Sequence, residues 1–234
     1  MDLNLANGLF KGFNDKNGIM LCGYEWGYSK KDQENDEKSN APALDLSKND
    51  AVFSNKATFY GERANGWRYD QRIIKWFALW GHPLGKEKDD FEKTIVQTNW
   101  CNTQGHRVEE NYWEKLLAPQ QVDNFLEHVR VLQPRLILFF GSQIIHILQD
   151  TRVLGRFQDI VGKIVPIDGK PFVLRKKEDF QGRKFDIGFQ NFEHCKVVGL
   201  PHPNGTRGLQ DDYIALFKDE IGSLIQEVKV LKHI

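Results

Sequence analysis

The chain of 234 residues carries 32 Lys and Arg against 32 Asp and Glu, and 40% of its residues are hydrophobic. This length suits one domain, and the apolar content excludes a chain that is disordered over most of its length. The longest apolar run, Leu136–Phe140, is too short to span a bilayer. The zero net charge argues against a protein held to nucleic acid by bulk charge, although a local basic face stays open.

Taken in chain order, four short apolar runs predict buried strands. Each is partly β-branched or aromatic and is bounded by Gly, Pro or Asn. The predicted strands are Gly18–Cys22, Thr94–Thr98, Arg135–Phe140 and Lys196–Leu200. The segment Gly162–Phe192 is open to interpretation as either a hairpin or a loop.

Apolar residues recur at helical spacing between these strands and after the last one. The predicted helices are Gln71–Trp80, Val122–Leu132 before Pro134, Gln143–Leu148 capped by Ser142, and a long amphipathic helix from Ile214 to Leu231. Unbroken apolar strands that alternate with helices predict an α/β fold with a central parallel sheet covered on both faces. The mostly charged segment 30–50 predicts a solvated insertion within a single domain, 1–234.

The cysteines and the N-terminus bear on the location of the protein. Cys22, Cys101 and Cys195 are odd in number and form no CxxC pair, so a zinc ribbon or an iron–sulfur cluster is not expected. Free thiols are typical of a reducing cytoplasm. Met1–Lys11 shows no secretory signal. We therefore expect a cytoplasmic protein without a metal or cofactor and without a membrane partner.

Ligands settle at the carboxyl ends of strands in an open parallel sheet, so the residues that follow each run are candidates for a site. Glu25 follows the first strand and Asn99 the second. Gly141 and Ser142 follow the third strand, and His202 follows the fourth. A carboxylate, an amide and an imidazole are therefore expected to meet around one cavity.

In this order, the four strand ends resemble the uracil-DNA glycosylase superfamily. Gly23–Ser29 (GYEWGYS) has the skeleton of the G-x-N-P-G-x-S motif of its mismatch-specific branch, with Trp26 at the usual proline. His202-Pro203-Asn204 is similar to its second motif, and Asn99 stands where the family reads the pyrimidine edge. The resemblance covers Gly18–Leu209. It implies a three-layer α/β/α sandwich around a four-stranded parallel sheet.

The resemblance also implies hydrolysis of the bond between sugar and base for uracil or a related damaged or mismatched pyrimidine in DNA. The chain would act as a monomer on single- or double-stranded DNA. Glu25 and His202 would be the catalytic pair, because a carboxylate stabilises a sugar cation and a donor stabilises the departing base. The remaining site residues implied are Gly23, Gly27, Phe59 and Asn99 for the base, with Phe53 as the rival to Phe59, and Ser142, Asn204 and Arg207 for DNA.

Each of these residues also has a purely structural interpretation. Glu25 is also explained as a capping carboxylate, Asn99 as an Asx-turn residue and His202 as a satisfied loop histidine. Phe59 is also explained as a core residue, and Arg207 as a surface charge. His106 is a further candidate for the pocket lining. A protein of this fold that binds a nucleobase, nucleotide or partner protein without catalysis is the alternative function.

Overall fold

The parallel sheet expected from the four apolar runs is present in the computed structural model, which describes residues 3–27, 51–85, 89–105 and 112–234. The segment predicted as an insertion, 30–50, and His106 lie outside these residues. The strands are β1 (Ile19–Gly23), β2 (Trp26–Gly27), β3 (Ile95–Asn99), β4 (Gln104–Gly105), β5 (Leu136–Phe140), β6 (Ile164–Val165), β7 (Leu174–Lys176), β8 (Ile187–Phe192) and β9 (Lys196–Leu200).

The main sheet has the strand order β3-β1-β5-β9-β8-β6, and β7 also pairs with β8. The first four of these strands are mutually parallel, as predicted, whereas β8 is antiparallel to β9, β6 and β7. The segment 162–192, left open in the sequence, therefore contains antiparallel strands that extend the sheet. We call β7, β8 and the loop between them the arm. Outside the main sheet, β2 pairs with β4.

Helices cover both faces of the sheet. The helices of the described residues are α1 (Ala57–Tyr60), α2 (Arg68–Leu79), α3 (Asp90–Lys93), α4 (Tyr112–Leu117), α5 (Pro119–Leu132), α6 (Ile144–Ile147), α7 (Thr151–Val161), α8 (Asp211–Ala215) and α9 (Lys218–Leu231).

Alternate residues of each central strand face opposite layers, which gives two buried clusters. On β1, Met20 and Cys22 pack with α4, α5 and α7, while Ile19 and Leu21 pack with α2, α8 and α9. All five residues of β1, β3 and β5 are buried, as expected for parallel strands covered on both sides. The fold is the predicted α/β/α sandwich.

Two details of the predicted helices are wrong. Ser142 does not cap α6: Gln143 occupies the N-cap position, and no side chain caps it. The last predicted helix is two helices, α8 and α9, separated at Leu216 and Phe217. The break leaves Leu216 exposed and places the Phe217 ring in the core, 5.6 Å from the ring of Tyr213.

Candidate functional site

The carboxyl ends of β3, β1, β5 and β9 meet at one edge of the sheet, which we call the carboxyl edge. Gly23 and Asn99 end the neighbouring strands β1 and β3 and are paired in register. The turn after β9 begins with Pro201 and His202. This arrangement brings the loops that follow four strands to the place where open α/β sheets bind ligands.

Asn99 packs against a glycine at this edge. A Cβ atom on Gly23 would lie 2.4 Å from Asn99 Oδ1 and 3.2 Å from the Tyr69 hydroxyl, so only glycine leaves room for these two groups. Asn99 is buried, and its backbone carbonyl oxygen accepts a hydrogen bond from Asn124 Nδ2 at 3.4 Å. The structure therefore brings Gly23 and Asn99 together and adds a phenol beside them.

His202 is held by its own turn. Its Nδ1 accepts hydrogen bonds from the backbone N–H groups of Asn204, at 3.2 Å, and Gly205, at 2.9 Å. Burial lowers the pKa of the imidazole. Because Nδ1 is an acceptor, the neutral ring carries its proton on Nε2, which is then a fixed neutral donor.

Two tyrosines flank the His202 ring. The Tyr69 ring centre lies 5.2 Å away, and the Tyr24 ring stacks nearly parallel to the imidazole at 6.4 Å. Tyr24 also lies so close to Gly141, whose φ is +156°, that a Cβ there would meet its ring at 2.2 Å. Tyr69 thus lies against the imidazole and has its hydroxyl close to Gly23.

Sequence reasoning assigned no role to either tyrosine. Tyr24 belongs to the motif after β1, so its position two residues after Cys22 was the available signal. Tyr69 is the second residue of α2, and no motif marks it. Its place at the site depends on how α2 packs on the sheet, which only the tertiary structure specifies.

The structure brings Asn99 and His202 near one tyrosine, whereas the contacts of Glu25 are made with other residues. Its carboxylate accepts a hydrogen bond from Thr103 Oγ1 at 2.9 Å and forms an ion pair with Lys115 of α4. Its side chain is only 8% exposed. A carboxylate this buried needs an opposite charge, and Lys115 supplies one from 90 residues away in the chain. None of the carboxylate contacts in the described residues involves Asn99 or His202.

The two candidate stacking rings differ in exposure. Phe53 is 1% exposed and belongs to the core, which excludes it as a platform for a base. Phe59 in α1 is half-buried, and its ring centre lies 5.0 Å from that of Tyr60. Gly27 is exposed, and a Cβ there would meet no atom of the described residues within 4 Å. Phe59 and Gly27 therefore remain candidates for base binding.

The three residues expected to contact DNA are all exposed: Ser142, Asn204 and Arg207. The Arg207 carbonyl accepts a hydrogen bond from Arg183 of the arm at 3.2 Å. Their exposure agrees with a binding role.

Helix α2 fixes the turn that carries His202. Arg72 donates to the carbonyl oxygens of Pro203, at 2.5 Å, and Leu209, at 2.6 Å, and pairs with Asp211 at 2.6 Å. Burial raises the pKa of Asp211, but hydrogen bonds from Lys75, Trp76 and Arg72 outweigh this effect and hold the pKa at about 2. The turn is thus clamped at both ends by one guanidinium.

Other kinds of site find little support in the described part of the chain. No group of three His, Cys, Asp or Glu side chains there has the arrangement of a metal site. All three cysteines are buried and free, and burial raises the thiol pKa of Cys22 and Cys195. None of the helices in residues 3–27, 51–85, 89–105 and 112–234 is long and apolar enough to cross a membrane.

Comparison with models of known protein families and with curated proteins found no match to this chain. The functional interpretation therefore depends on the geometry of the carboxyl edge.

Proposed function

We propose that the chain hydrolyses the bond between base and sugar at uracil, or at a related damaged or mismatched pyrimidine, in DNA. The observation that carries the proposal is the state of His202. Two backbone N–H groups occupy its Nδ1, so the neutral ring has its N–H donor at Nε2. This ring lies beside Tyr69, whose hydroxyl lies close to Gly23, the residue that packs against the Asn99 amide. This arrangement supports a site for the edge of a nucleobase.

The chemistry of base release explains the need for such a donor. When the bond between base and sugar breaks, the base departs with negative charge on its carbonyl oxygens, and the sugar becomes cationic. A donor already aimed at the developing anion stabilises the transition state without reorganisation. In this proposal His202 Nε2–H donates to a base oxygen, and the Asn99 amide pairs with neighbouring donor and acceptor groups of the pyrimidine.

A base inside a duplex is out of reach of these groups, so the proposal requires an extruded or unpaired nucleotide. Phe59 is the proposed platform for the base, and exposed Gly27 leaves space at the position where a bulky side chain excludes methylated bases. Asn204 and Arg207, on the same turn as His202, are the proposed contacts to the flanking DNA strand.

Glu25 is the proposed source of negative charge for the sugar cation. Its contacts also support a second candidate function. The ion pair with Lys115 neutralises much of that charge. This observation favours a second candidate function, in which the same edge binds a nucleobase or nucleotide without cleaving it. The two candidates differ in whether base is released.

The test is a base-release assay on a panel of oligonucleotides that contain uracil or mismatched pyrimidines, with abasic sites detected by alkaline cleavage. We expect His202→Ala to lower the single-turnover rate about 100-fold or more, the typical cost of losing one such donor. His194→Ala, at an exposed histidine far from this edge in the sheet, is the matched control and should keep the wild-type rate.

Two outcomes would contradict the hydrolytic proposal: absence of release across the whole panel, or an equal rate in the wild type and His202→Ala. Glu25→Gln separates the assigned roles. A drop in rate assigns the carboxylate to the reaction, whereas an unchanged rate leaves it as the structural partner of Lys115. Binding of the same oligonucleotides without release would favour the second candidate.

A further inference from the structure

The arm forms one wall of a cavity of about 430 Å³ beside the carboxyl edge. The opposite wall includes Ser142 after β5, and Pro201 and Thr206 of the turn that carries His202. The arm itself contributes four cationic side chains and one carboxylate to the lining: Arg175, Lys177, Arg183, Lys184 and Asp186. This is a dense positive charge for a chain with no net charge.

The cations of this cavity are available to a ligand. Lys177 lies 3.6 Å from Asp186, and Lys184 pairs with the fully exposed Asp179. Exposed pairs of this kind contribute little and are readily exchanged for another anion. Within the described residues, the Arg175 guanidinium has no ion-pair partner, while Arg183 lies over the Phe185 ring at 5.4 Å.

A second hollow adjoins the first. The two share His146 and Arg175, and the second is also lined by Lys170, Val173 and Phe172. Phe172 is 61% exposed, so the face of its ring is open to a ligand. We call the two adjoining hollows together the arm groove; cations line the first, and the exposed Phe172 ring lines the second.

We propose that the arm groove binds an unpaired DNA strand, with its cations on the phosphates and Phe172 stacked on a base. Positive grooves that alternate with exposed aromatic rings are the recurring solution for single strands, because every base offers a face for stacking. Stacking on Phe172 requires a base without a partner strand, which favours a single strand over a duplex. A free phosphate would use the cations but not the ring.

This inference adds the form of the substrate to the proposed function. It rests on that function, because base release is the reason for the protein to hold a strand. Pro201 and Thr206 line the groove and flank His202 in the sequence. A strand in the groove therefore passes the turn that carries the imidazole. The groove thus indicates the form of the substrate, which is DNA that is unpaired on at least one side of the target nucleotide.

The test measures binding by fluorescence anisotropy, with a labelled single-stranded oligonucleotide that contains no uracil or mismatch. The groove variant is Arg175→Ala/Arg183→Ala. The control is Arg152→Ala/Arg156→Ala, which removes the same charge from exposed positions of α7, where both arginines pair with aspartates. We expect the groove variant to weaken binding at least about tenfold and to flatten its salt dependence, because fewer phosphates are neutralised. The control should stay within about twofold of wild type.

The aromatic part of the groove has its own variant. Phe172→Ala removes an exposed ring and should weaken binding about tenfold while leaving the salt dependence unchanged, because stacking releases no counterions. Circular dichroism of each variant checks that the fold is retained. Wild-type affinity for the matching duplex should be several-fold lower than for the single strand.

Several results would overturn the inference. They are equal losses in the groove and control variants, equal affinity for duplex and single strand, or displacement by inorganic phosphate beyond that by chloride at equal ionic strength. The last result would assign the groove to a free phosphate. The binding oligonucleotide has no cleavable base, so its affinity does not depend on catalysis. Groove-dependent binding to it, together with no release across the uracil and mismatch panel, fails only the proposed function. Release from the panel that is insensitive to the groove variants fails only this inference.

Discussion

The buried ammonium of Lys56 fixes the start of α2, the helix that carries Tyr69. Its side chain is 4% exposed, pairs with Asp70 at 2.7 Å, donates to Gln97 Oε1 and lies 4.7 Å from the Phe53 ring centre. Burial lowers the pKa of the ammonium, and the Asp70 charge opposes that shift. Asp70 directly follows Tyr69, so this pair anchors the start of α2 where Tyr69 reaches the carboxyl edge.

Removal of one member of this pair should be more harmful than removal of both. Lys56→Met leaves the Asp70 carboxylate buried without its cation, which we expect to lower the free energy of unfolding by about 3–5 kcal/mol. Lys56→Met/Asp70→Leu removes both charges and should recover most of that loss. Urea unfolding of the two variants and of exposed Lys11→Met is the measurement.

The Lys11→Met control should lie within about 0.5 kcal/mol of wild type. If the double variant proves less stable than Lys56→Met, the unpaired charge of Asp70 is not the cause of the loss, and the prediction is contradicted.

At the candidate site, the sequence predicted correctly those residues that lie at the ends of the parallel strands. Gly23, Asn99 and His202 follow apolar runs, and parallel pairing brings such ends to one edge. The surroundings of Glu25 were not predictable in the same way. Its partner Lys115 comes from α4, and nothing in either local sequence specifies a contact across 90 residues.

At the scale of elements, α2 does more than cover the sheet, because Arg72 positions the turn after β9. Arg72→Ala removes the two hydrogen bonds to the carbonyls of Pro203 and Leu209 and the ion pair with Asp211. We expect the Gly205 amide, which donates to His202 Nδ1, to exchange its hydrogen about tenfold faster as the turn opens locally. Base release should fall with it, while the helix content stays unchanged.

The control for this variant is Arg68→Ala, an exposed arginine at the start of the same helix. Hydrogen exchange followed by mass spectrometry over residues 201–209 distinguishes the two. Equal protection of this segment in Arg72→Ala and wild type would contradict a positioning role for the guanidinium.

The central strands were predictable because each is buried on both faces and therefore reads as an unbroken apolar run. The observed bounds of β1, β3 and β5 shift by only one residue from the predicted starts. The strands of the arm were not predicted from the sequence, since β7 is only three residues long and mostly polar. Helix α7 was missed although Val153, Phe157 and Val161, all buried, recur at four-residue spacing.

At the scale of the whole molecule, net charge was a poor guide to the surface. Equal numbers of acidic and basic residues argued against binding driven by bulk charge, yet the arm groups four cations around one cavity. The sum over a sequence carries no information on where the fold places each charge. The distribution becomes visible only when β7 and β8 bring their flanking residues together.

The buried acid Glu92, which is 0% exposed, should make the free energy of unfolding depend on pH. The Ser54 hydroxyl lies within hydrogen-bond distance of both the Glu92 carboxyl and the Gly85 carbonyl oxygen. Ser54 has one hydrogen and the carbonyl can only accept, so both bonds form only when Glu92 is protonated and donates to Ser54. Burial raises the pKa of Glu92 to about 7, and the charge of Asp89 adds to the shift. The hydrogen bonds that the carboxylate accepts from Ser54 when it is ionised oppose this shift.

A folded-state pKa above the ordinary value of 4.5 means that the folded chain binds the proton more tightly than the unfolded chain. The stability contributed by protonated Glu92 is therefore fully present below pH 4.5 and is lost as the pH rises toward 7. Glu92→Gln keeps a neutral donor for Ser54 at every pH. Relative to this variant, the wild type should lose about 2–3 kcal/mol of unfolding free energy between pH 4.5 and pH 8.

Urea unfolding at intervals across that range measures the difference between wild type and Glu92→Gln, which cancels the titration of histidines common to both. Exposed Glu114→Gln should give a flat difference curve. The opposite slope is expected from Asp211, whose pKa of about 2 contributes stability above pH 4 that is lost as the pH falls toward 2. A flat curve for Glu92→Gln would mean that Glu92 stays ionised in the folded chain, and that Ser54 donates to it rather than to Gly85.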